Sequence, residues 1–261
     1  MFLDHYVRVG PGRGDISMYA CNQVAETHAH KGDDMAADVD IAITERRSIR
    51  KYSSSPVPEG LMRELLDEAR WAPSWGNTQS THVYVLAGST LSHLKTRLRE
   101  RLESEMPPDP DITMPAAWPD YLQSRITRLL ETRVSFLASE TARAGETPPP
   151  ALPPLVQMAG LFGAPCLLVF AIDEDIPESY GCFDAGLLVQ TVALAAHARG
   201  LGTCIMTMAA RYPSLVREVV PAVAHKKVVI GLTIGYPDTD AAVNRFPRDR
   251  VAVEEFVHFA G

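Results

Sequence analysis

The segment FDAGLLVQTVALAAHARGLG (residues 183–202) places the strongest constraint on what this chain can fold into. It has the length of a helix and is apolar on nearly every side, so it must be buried, inside a subunit or between subunits. Asp184 is a candidate N-cap at its start, and Gly200 and Gly202 can adopt the left-handed backbone that ends helices. A helix of this kind needs other apolar elements to cover it.

Three further segments predict the strands that could cover this helix. APCLLVFAI (164–172) and KVVIGLTIGYP (227–237) are short apolar runs typical of buried strands. THVYVLAG (81–88) is rich in β-branched and aromatic residues, which also favours a strand. TCIMTM (203–208) could be a short strand or an extended segment that lines a ligand. Helices and strands follow one another without regular βαβ units, which predicts an α+β fold.

Two more segments, 58–72 and 121–140, show the spacing of amphipathic helices. In the second, the apolar stripe comprises Leu122, Ile126, Leu129, Leu130, Val134 and Leu137. TPPPALPP (147–154) cannot lie inside a helix and predicts a stiff connector. Residues 1–38 are polar and lack sustained periodicity, so we interpret them as an N-terminal extension of a domain that occupies residues 39–261.

Composition and motifs exclude several classes of protein. The formal net charge of −7 and the lack of a long basic stripe argue against nucleic-acid binding. No run of about 20 apolar residues and no secretory leader are evident, so we expect a cytoplasmic protein without a membrane partner. The four cysteines are far apart, and no histidine pattern indicates a metal site. G-x-G-x-x-G after a strand, the P-loop and G-x-S-x-G are all absent.

The stretch ERRSIRKY (45–52) concentrates positive charge in an acidic protein. Like charges at this spacing repel one another by a few tenths of a kcal/mol per pair on a helix face. The cluster therefore indicates either an anionic ligand or a solvated basic surface, and the stretch alone leaves both open.

Four stretches together carry a resemblance: RRSIRKY (46–52), APSWGNTQS (72–80), AHARGLGTC (196–204) and NRFPRDRVAVEEF (244–256). In this order they resemble the FMN-dependent nitroreductase family, from about residue 39 to the end of the chain. The resemblance implies a sandwich with a central, mostly antiparallel sheet flanked by helices. It also implies a domain-swapped homodimer with FMN at its interface. The likeness is weakest over about 91–160, where the family varies and where we expect a helical lid.

The resemblance also implies which residues bind FMN. Those that would hold the phosphate and the flavin edge are Arg46, Arg47, Ser48, Arg50 and Arg250. Those that would meet the FMN of the partner subunit, or its ribityl chain, are Pro73, Ser74, Asn77 and Gln79. Those that would run past the flavin ring are Met206, Thr207 and Met208, where a backbone N–H can bond the ring. The alternative for this last segment is apolar core, which fits Ile205 best.

By resemblance, the activity would be an FMN-dependent NAD(P)H oxidoreductase that passes two electrons to nitroaromatic or quinone-like acceptors by a ping-pong mechanism. FMN would carry the electron chemistry, and no acid or base residue is required of the protein. The alternatives are other FMN chemistry on the same fold (reductive dehalogenation, flavin fragmentation, or peptide or azoline oxidation) and a flavin-binding protein without turnover. Dehalogenating relatives use a lid lysine, and this chain has none between Lys95 and Lys226.

Overall fold

The computed structural model describes residues 32–145 and 154–260. The chain divides into two units, residues 1–44 and 45–261. Helix α1 spans Gly32–Glu45 and includes the end of the expected N-terminal extension. All of its residues except Glu45 belong to the first unit. Residues 1–31 of that extension lie outside the described residues, as do residues 147–153 of the expected proline-rich connector.

The second unit is built on a four-stranded sheet. Its strands are β1 (Thr81–Ala87), β2 (Cys166–Asp173), β3 (Gly202–Met206) and β4 (Lys226–Gly235). Their order is β1-β2-β4-β3, and every neighbouring pair is antiparallel. The expected α+β class and antiparallel sheet are confirmed, and TCIMTM supplies most of β3.

The helices of the second unit are α2 (Glu59–Ala69), α3 (Gly88–Glu103), α4 (Asp120–Ala144), α5 (Pro154–Ala159), α6 (Glu178–Ala198), α7 (Met208–Arg211), α8 (Pro213–Val219) and α9 (Ala242–Arg245). The helices predicted within 58–72, 121–140 and 183–202 are confirmed as α2, α4 and α6. The last begins earlier than expected, at Glu178, with Pro177 at the N-cap position. Asp184 therefore lies inside α6, and its prediction as the N-cap is wrong.

Helices cover both faces of the sheet. Since alternate side chains of a strand point to opposite faces, one strand contributes to the apolar clusters on both sides. Leu167 and Val169 of β2 pack in one apolar cluster with residues of α3 and α8. Leu168 and Phe170 pack in a second cluster with residues of α2 and α6. Because both faces of β2 are covered, its sequence is a continuous apolar run.

Helix α6 is long and apolar enough, by length and composition alone, to cross a membrane. In this fold it packs on the sheet instead, and Val189, Val192 and Ala196 are buried in the cluster it shares with α2. The side of α6 toward the sheet is therefore buried as the sequence predicts, whereas Phe183 of the same helix is 65% exposed.

The connector between α3 and α4 is fixed to the sheet by polar contacts. Asp111 accepts a hydrogen bond from the backbone N–H of Val228 at 2.8 Å and pairs with Arg217 at 2.6 Å. The backbone N–H of Asp109 donates to the carbonyl of Arg211 at 3.1 Å. This part of the expected lid region is therefore anchored to the domain.

Candidate functional site

Residues 46–50, called the arginine segment below, run beside the edge strand β3. Ser48 forms a parallel bridge with Thr203, and the N–H of Ile49 donates to the carbonyl of Thr203 at 2.8 Å. A Cβ atom on Gly202 would lie 2.5 Å from Cγ1 of Ile49. Glycine at position 202 therefore lets the arginine segment approach the sheet this closely.

Asn244 joins the arginine segment to residues 243–251, called the C-terminal segment below. Its Oδ1 accepts hydrogen bonds from the backbone N–H groups of Arg50 at 2.8 Å and Lys51 at 3.2 Å. Its Nδ2 donates to the carbonyls of Lys51 at 2.7 Å and Asp238 at 2.8 Å. Its own carbonyl accepts from the guanidinium of Arg47 at 2.8 Å. With only 6% of its surface exposed, Asn244 fixes the backbone that carries the arginines.

The arginine segment, α4 and the C-terminal segment enclose a cavity of about 530 Å³, called the arginine cavity below. Eight arginines line it. Three of these pair with carboxylates: Arg125 with Glu255, Arg128 with Asp249 and Arg248 with Glu45. The other five have no carboxylate within 4.0 Å among the residues that the structure describes: Arg46, Arg47, Arg50, Arg133 and Arg250. The cavity therefore holds an excess of positive charge.

Burial raises the free-energy cost of keeping individual arginines of the cavity charged. Burial and the nearby charge of Arg250 lower the pKa of Arg46. Burial and the charge of Arg50 lower the pKa of Arg133. The Nε of Arg46 is buried and has no hydrogen-bond partner within residues 32–145 and 154–260. An anionic group with several acceptor oxygens would relieve both the repulsion and the unpaired donor.

The phosphate of FMN fits these requirements. A phosphate monoester carries nearly two negative charges and three acceptor oxygens. Guanidinium groups bind such oxygens with paired, charge-assisted hydrogen bonds. Of the two interpretations of the basic stretch, an anionic ligand is the one that the geometry favours.

The loop 72–80 is ordered by contacts to α6. Asp184, which is buried, accepts a hydrogen bond from the N–H of Trp75 at 3.0 Å. The N–H of Gln79 donates to Oγ of Ser74 at 3.0 Å. Asn77 and Gln79 have φ of 59° and 50°, in the left-handed region. The buried aspartate thus fixes a strained turn whose polar side chains face outward.

Residues 206–208 follow the end of β3. The side chains of Met206 and Met208 are 4% and 0% exposed and pack in the apolar cluster with Leu167 and Val169. Thr207 is exposed, and Ile205 is 45% exposed. The interpretation of Ile205 as a core residue is wrong, because alternation along β3 places Met206 inward and Ile205 outward.

Residues 43–236 match the model of the Nitroreductase family. The chain belongs to this family. It is 30% identical over 233 residues to a 4-nitrobenzoate reductase of Pseudomonas putida, covering 86% of this chain and 96% of that protein. It is 28% identical over 241 residues to a 4-nitrobenzoate reductase of Nocardioides sp., covering 84% and 89% respectively.

A solved structure gives the same result for the fold. The FMN-dependent nitroreductase NfnB from Mycobacterium smegmatis, in complex with NADPH, superposes with a TM-score of 0.75 at 26% identity. The match covers 87% of this chain and 100% of that one. The nitroreductase fold expected from the four sequence stretches is confirmed.

Within this nitroreductase fold, the expected site residues fall into three groups. Those that line the arginine cavity are Arg46, Arg47, Ser48, Arg50 and Arg250. Those that lie on the loop outside it are Pro73, Ser74, Asn77 and Gln79. Those at the end of β3, also outside its lining, are Met206, Thr207 and Met208. A single subunit therefore brings together the residues expected at the phosphate and leaves the others apart.

The cavity residues that sequence reasoning missed include Asn244, Arg125, Arg128, Arg133 and Arg248. A signal for two of the α4 arginines was available, since Arg125 and Arg128 are three residues apart and share one helix face. Arg133 lies within the apolar stripe, four residues after Leu129 and seven after Ile126, so the periodicity of the helix does not mark it. Nothing local marks Asn244, whose partners lie up to 197 residues away.

Proposed function

We propose that this protein is an FMN-dependent NAD(P)H oxidoreductase that reduces nitroaromatic or quinone-like acceptors. The observation that carries the proposal is the arginine cavity, with five arginines that lack a carboxylate partner among the described residues. Two curated relatives are named 4-nitrobenzoate reductases, and the NfnB structure is described as FMN-dependent and in complex with NADPH. These names agree with the chemistry that the cavity favours.

In this proposal the chain's own residues bind and orient the cofactor. Arg46, Arg47, Ser48 and Arg50 would hold the phosphate end and the flavin edge, and Arg250 would bind the same phosphate. Asn244 holds the backbone of Arg50 in place through its Oδ1. When bound, FMN supplies two-electron transfer between NAD(P)H and the acceptor in a ping-pong sequence.

The proposal includes a homodimer in which a second copy completes each site. Helix α4 has no buried residue, and its Leu129, Leu130 and Val134 are 49%, 45% and 67% exposed. Phe183 of α6 is 65% exposed. Apolar surface of this extent favours association with another chain.

In the dimer, the loop residues Pro73, Ser74, Asn77 and Gln79 would reach the partner's FMN. Thr207 and the backbone of Met206 and Met208 would lie along the ring. Residues 91–160 would influence acceptor choice, since α4 forms one wall of the arginine cavity. We place the enzyme in the cytoplasm, with no nucleic-acid or membrane partner.

The experiment that tests the reductase proposal follows the flavin absorbance at 450 nm. NADH or NADPH is added anaerobically to the FMN-loaded protein, and a nitroaromatic is added after bleaching. We expect bleaching followed by recovery of the band. An intact band after both nucleotides would refute the reductase and leave an FMN-binding protein.

The dimer is tested separately by light scattering coupled to size-exclusion chromatography. We expect twice the subunit mass at all loading concentrations used for kinetics. A monomer that retains FMN and activity would contradict the proposed sharing of sites.

A further inference from the structure

The arginine cavity carries more positive charge than one FMN phosphate neutralises. Five of its arginines have no carboxylate within 4.0 Å among the described residues, whereas a phosphate monoester supplies nearly two negative charges. About three positive charges would remain with FMN in place. Desolvated like charges are unfavourable, so a cavity of this kind is suited to a second anion.

The uncompensated charge is distributed over two walls of the cavity. Arg46 and Arg250 lie in the arginine and C-terminal segments and are close enough for the charge of Arg250 to lower the pKa of Arg46. Arg133 comes from α4, and its charged neighbour is Arg50. The other α4 arginines of the cavity, Arg125 and Arg128, pair with Glu255 at 3.0 Å and Asp249 at 3.4 Å. On the α4 wall, Arg133 is thus the arginine left without an acid among residues 32–145 and 154–260.

We propose that Arg133 binds a second anionic group, a carboxylate or a phosphate, carried by the molecule that exchanges at the FMN site. This inference rests on the proposed function, because it assumes that a donor and an acceptor enter beside FMN in turn. The anion has two chemical sources. One is the carboxylate of an aromatic acceptor, and the other is the 2′-phosphate that distinguishes NADPH from NADH.

The planar guanidinium of Arg133 suits either group, since it forms two parallel hydrogen bonds to carboxylate or phosphate oxygens. An acceptor without a carboxylate, or NADH without the 2′-phosphate, would not supply the proposed partner of this half-buried charge. The side chain would therefore select ligands by charge while FMN remains held by the arginine and C-terminal segments.

The test compares Arg133→Gln with Arg128→Gln, a matched change on the same helix at an arginine already paired with an acid. The FMN-loaded protein is used in the oligomeric state in which it purifies. Calorimetric titration then gives the Kd of benzoate, benzamide, NADP⁺ and NAD⁺. Initial rates are then measured with 4-nitrobenzoate and 4-nitrobenzamide, each with NADH and NADPH. We expect Arg133→Gln to weaken either benzoate or NADP⁺ by about tenfold or more, with the counterpart that lacks the carboxylate or the 2′-phosphate little changed.

If Arg133→Gln loses affinity for benzoate but not for benzamide, the anion belongs to the acceptor. If it loses affinity for NADP⁺ but not for NAD⁺, the anion belongs to the donor. Either result supports the proposal. Unchanged selectivity in both pairs would overturn it, as would an equal loss in Arg128→Gln. Loss of FMN from Arg133→Gln would also overturn it and place Arg133 with the cofactor. A wild type that binds anions selectively but does not bleach with NAD(P)H would refute the reductase and keep the role of Arg133.

Discussion

Asn244→Ala tests whether one buried amide positions the arginine segment. The substitution removes four side-chain hydrogen bonds, to the N–H groups of Arg50 and Lys51 and to the carbonyls of Lys51 and Asp238. At about 0.5–1.5 kcal/mol net for each bond, the free energy of unfolding should fall by about 2–6 kcal/mol. Water can reach the partly exposed partners, so we expect a loss of about 3 kcal/mol.

The same change should weaken FMN binding, because the backbone that carries Arg50 loses two of its anchors. Losing one charge-assisted contact to FMN would raise Kd by about tenfold or more. Urea unfolding at a fixed protein concentration gives the stability, and quenching of flavin fluorescence gives Kd.

Thr233→Val provides the control for a purely structural effect. Thr233 is fully buried and bonds Tyr52 at 2.8 Å and the carbonyl of Cys204 at 3.3 Å, but it does not line the arginine cavity. We expect it to lose about 1–3 kcal/mol of stability with little change in FMN affinity. If Asn244→Ala lost stability and kept the wild-type Kd for FMN, Asn244 would be structural only and the reasoning would be refuted.

Three further changes and one competition experiment test other contacts of the fold and site. Arg50→Ala should purify largely without FMN, seen as a low ratio of absorbance at 450 nm to that at 280 nm; full retention would mean that FMN is held elsewhere. Gly202→Ala should destabilise the protein by about 1–3 kcal/mol in urea, since its Cβ meets Ile49 at 2.5 Å, and the added change Ile49→Ala should lessen that effect. Asp111→Ala should lower the free energy of unfolding by about 3 kcal/mol, because Arg217 loses its acidic partner and the N–H of Val228 loses its acceptor. A change below about 0.5 kcal/mol would show that the connector is not anchored there. Inorganic phosphate should raise the apparent Kd for FMN more than chloride does at equal ionic strength; equal effects would argue against a phosphate site.

The sheet and the two helices on one of its faces, α2 and α6, could be predicted from the sequence because their signals are local. The apolar runs around Leu168 and Ile230 match strands buried on both faces, and the helix that contains Val192 is apolar all round. Burial of that kind requires continuous apolar sequence, so the pattern and the structure follow from the same physical cause. The arginine segment was recognisable for a similar reason, since repelling charges in a short stretch need an anion or water.

The parts that the sequence did not predict depend on contacts between distant residues. Asp184 is of a residue type that favours the N-cap position, but it lies within α6. There it accepts a hydrogen bond from the N–H of Trp75, 109 residues away. The partners of Asn244 and the placement of Arg133 opposite Arg50 are likewise set by tertiary packing. Local propensity carries no information about these pairs, and only the assembled sheet brings them together.

The exposed apolar side of α4 has a consequence for how the enzyme reaches its active form. A 25-residue helix with no buried side chain gains little from the rest of its own subunit. If a second copy supplies the missing contacts, recovery from the denatured state should speed up as chains become more concentrated, and extreme dilution should inactivate the enzyme as heating does.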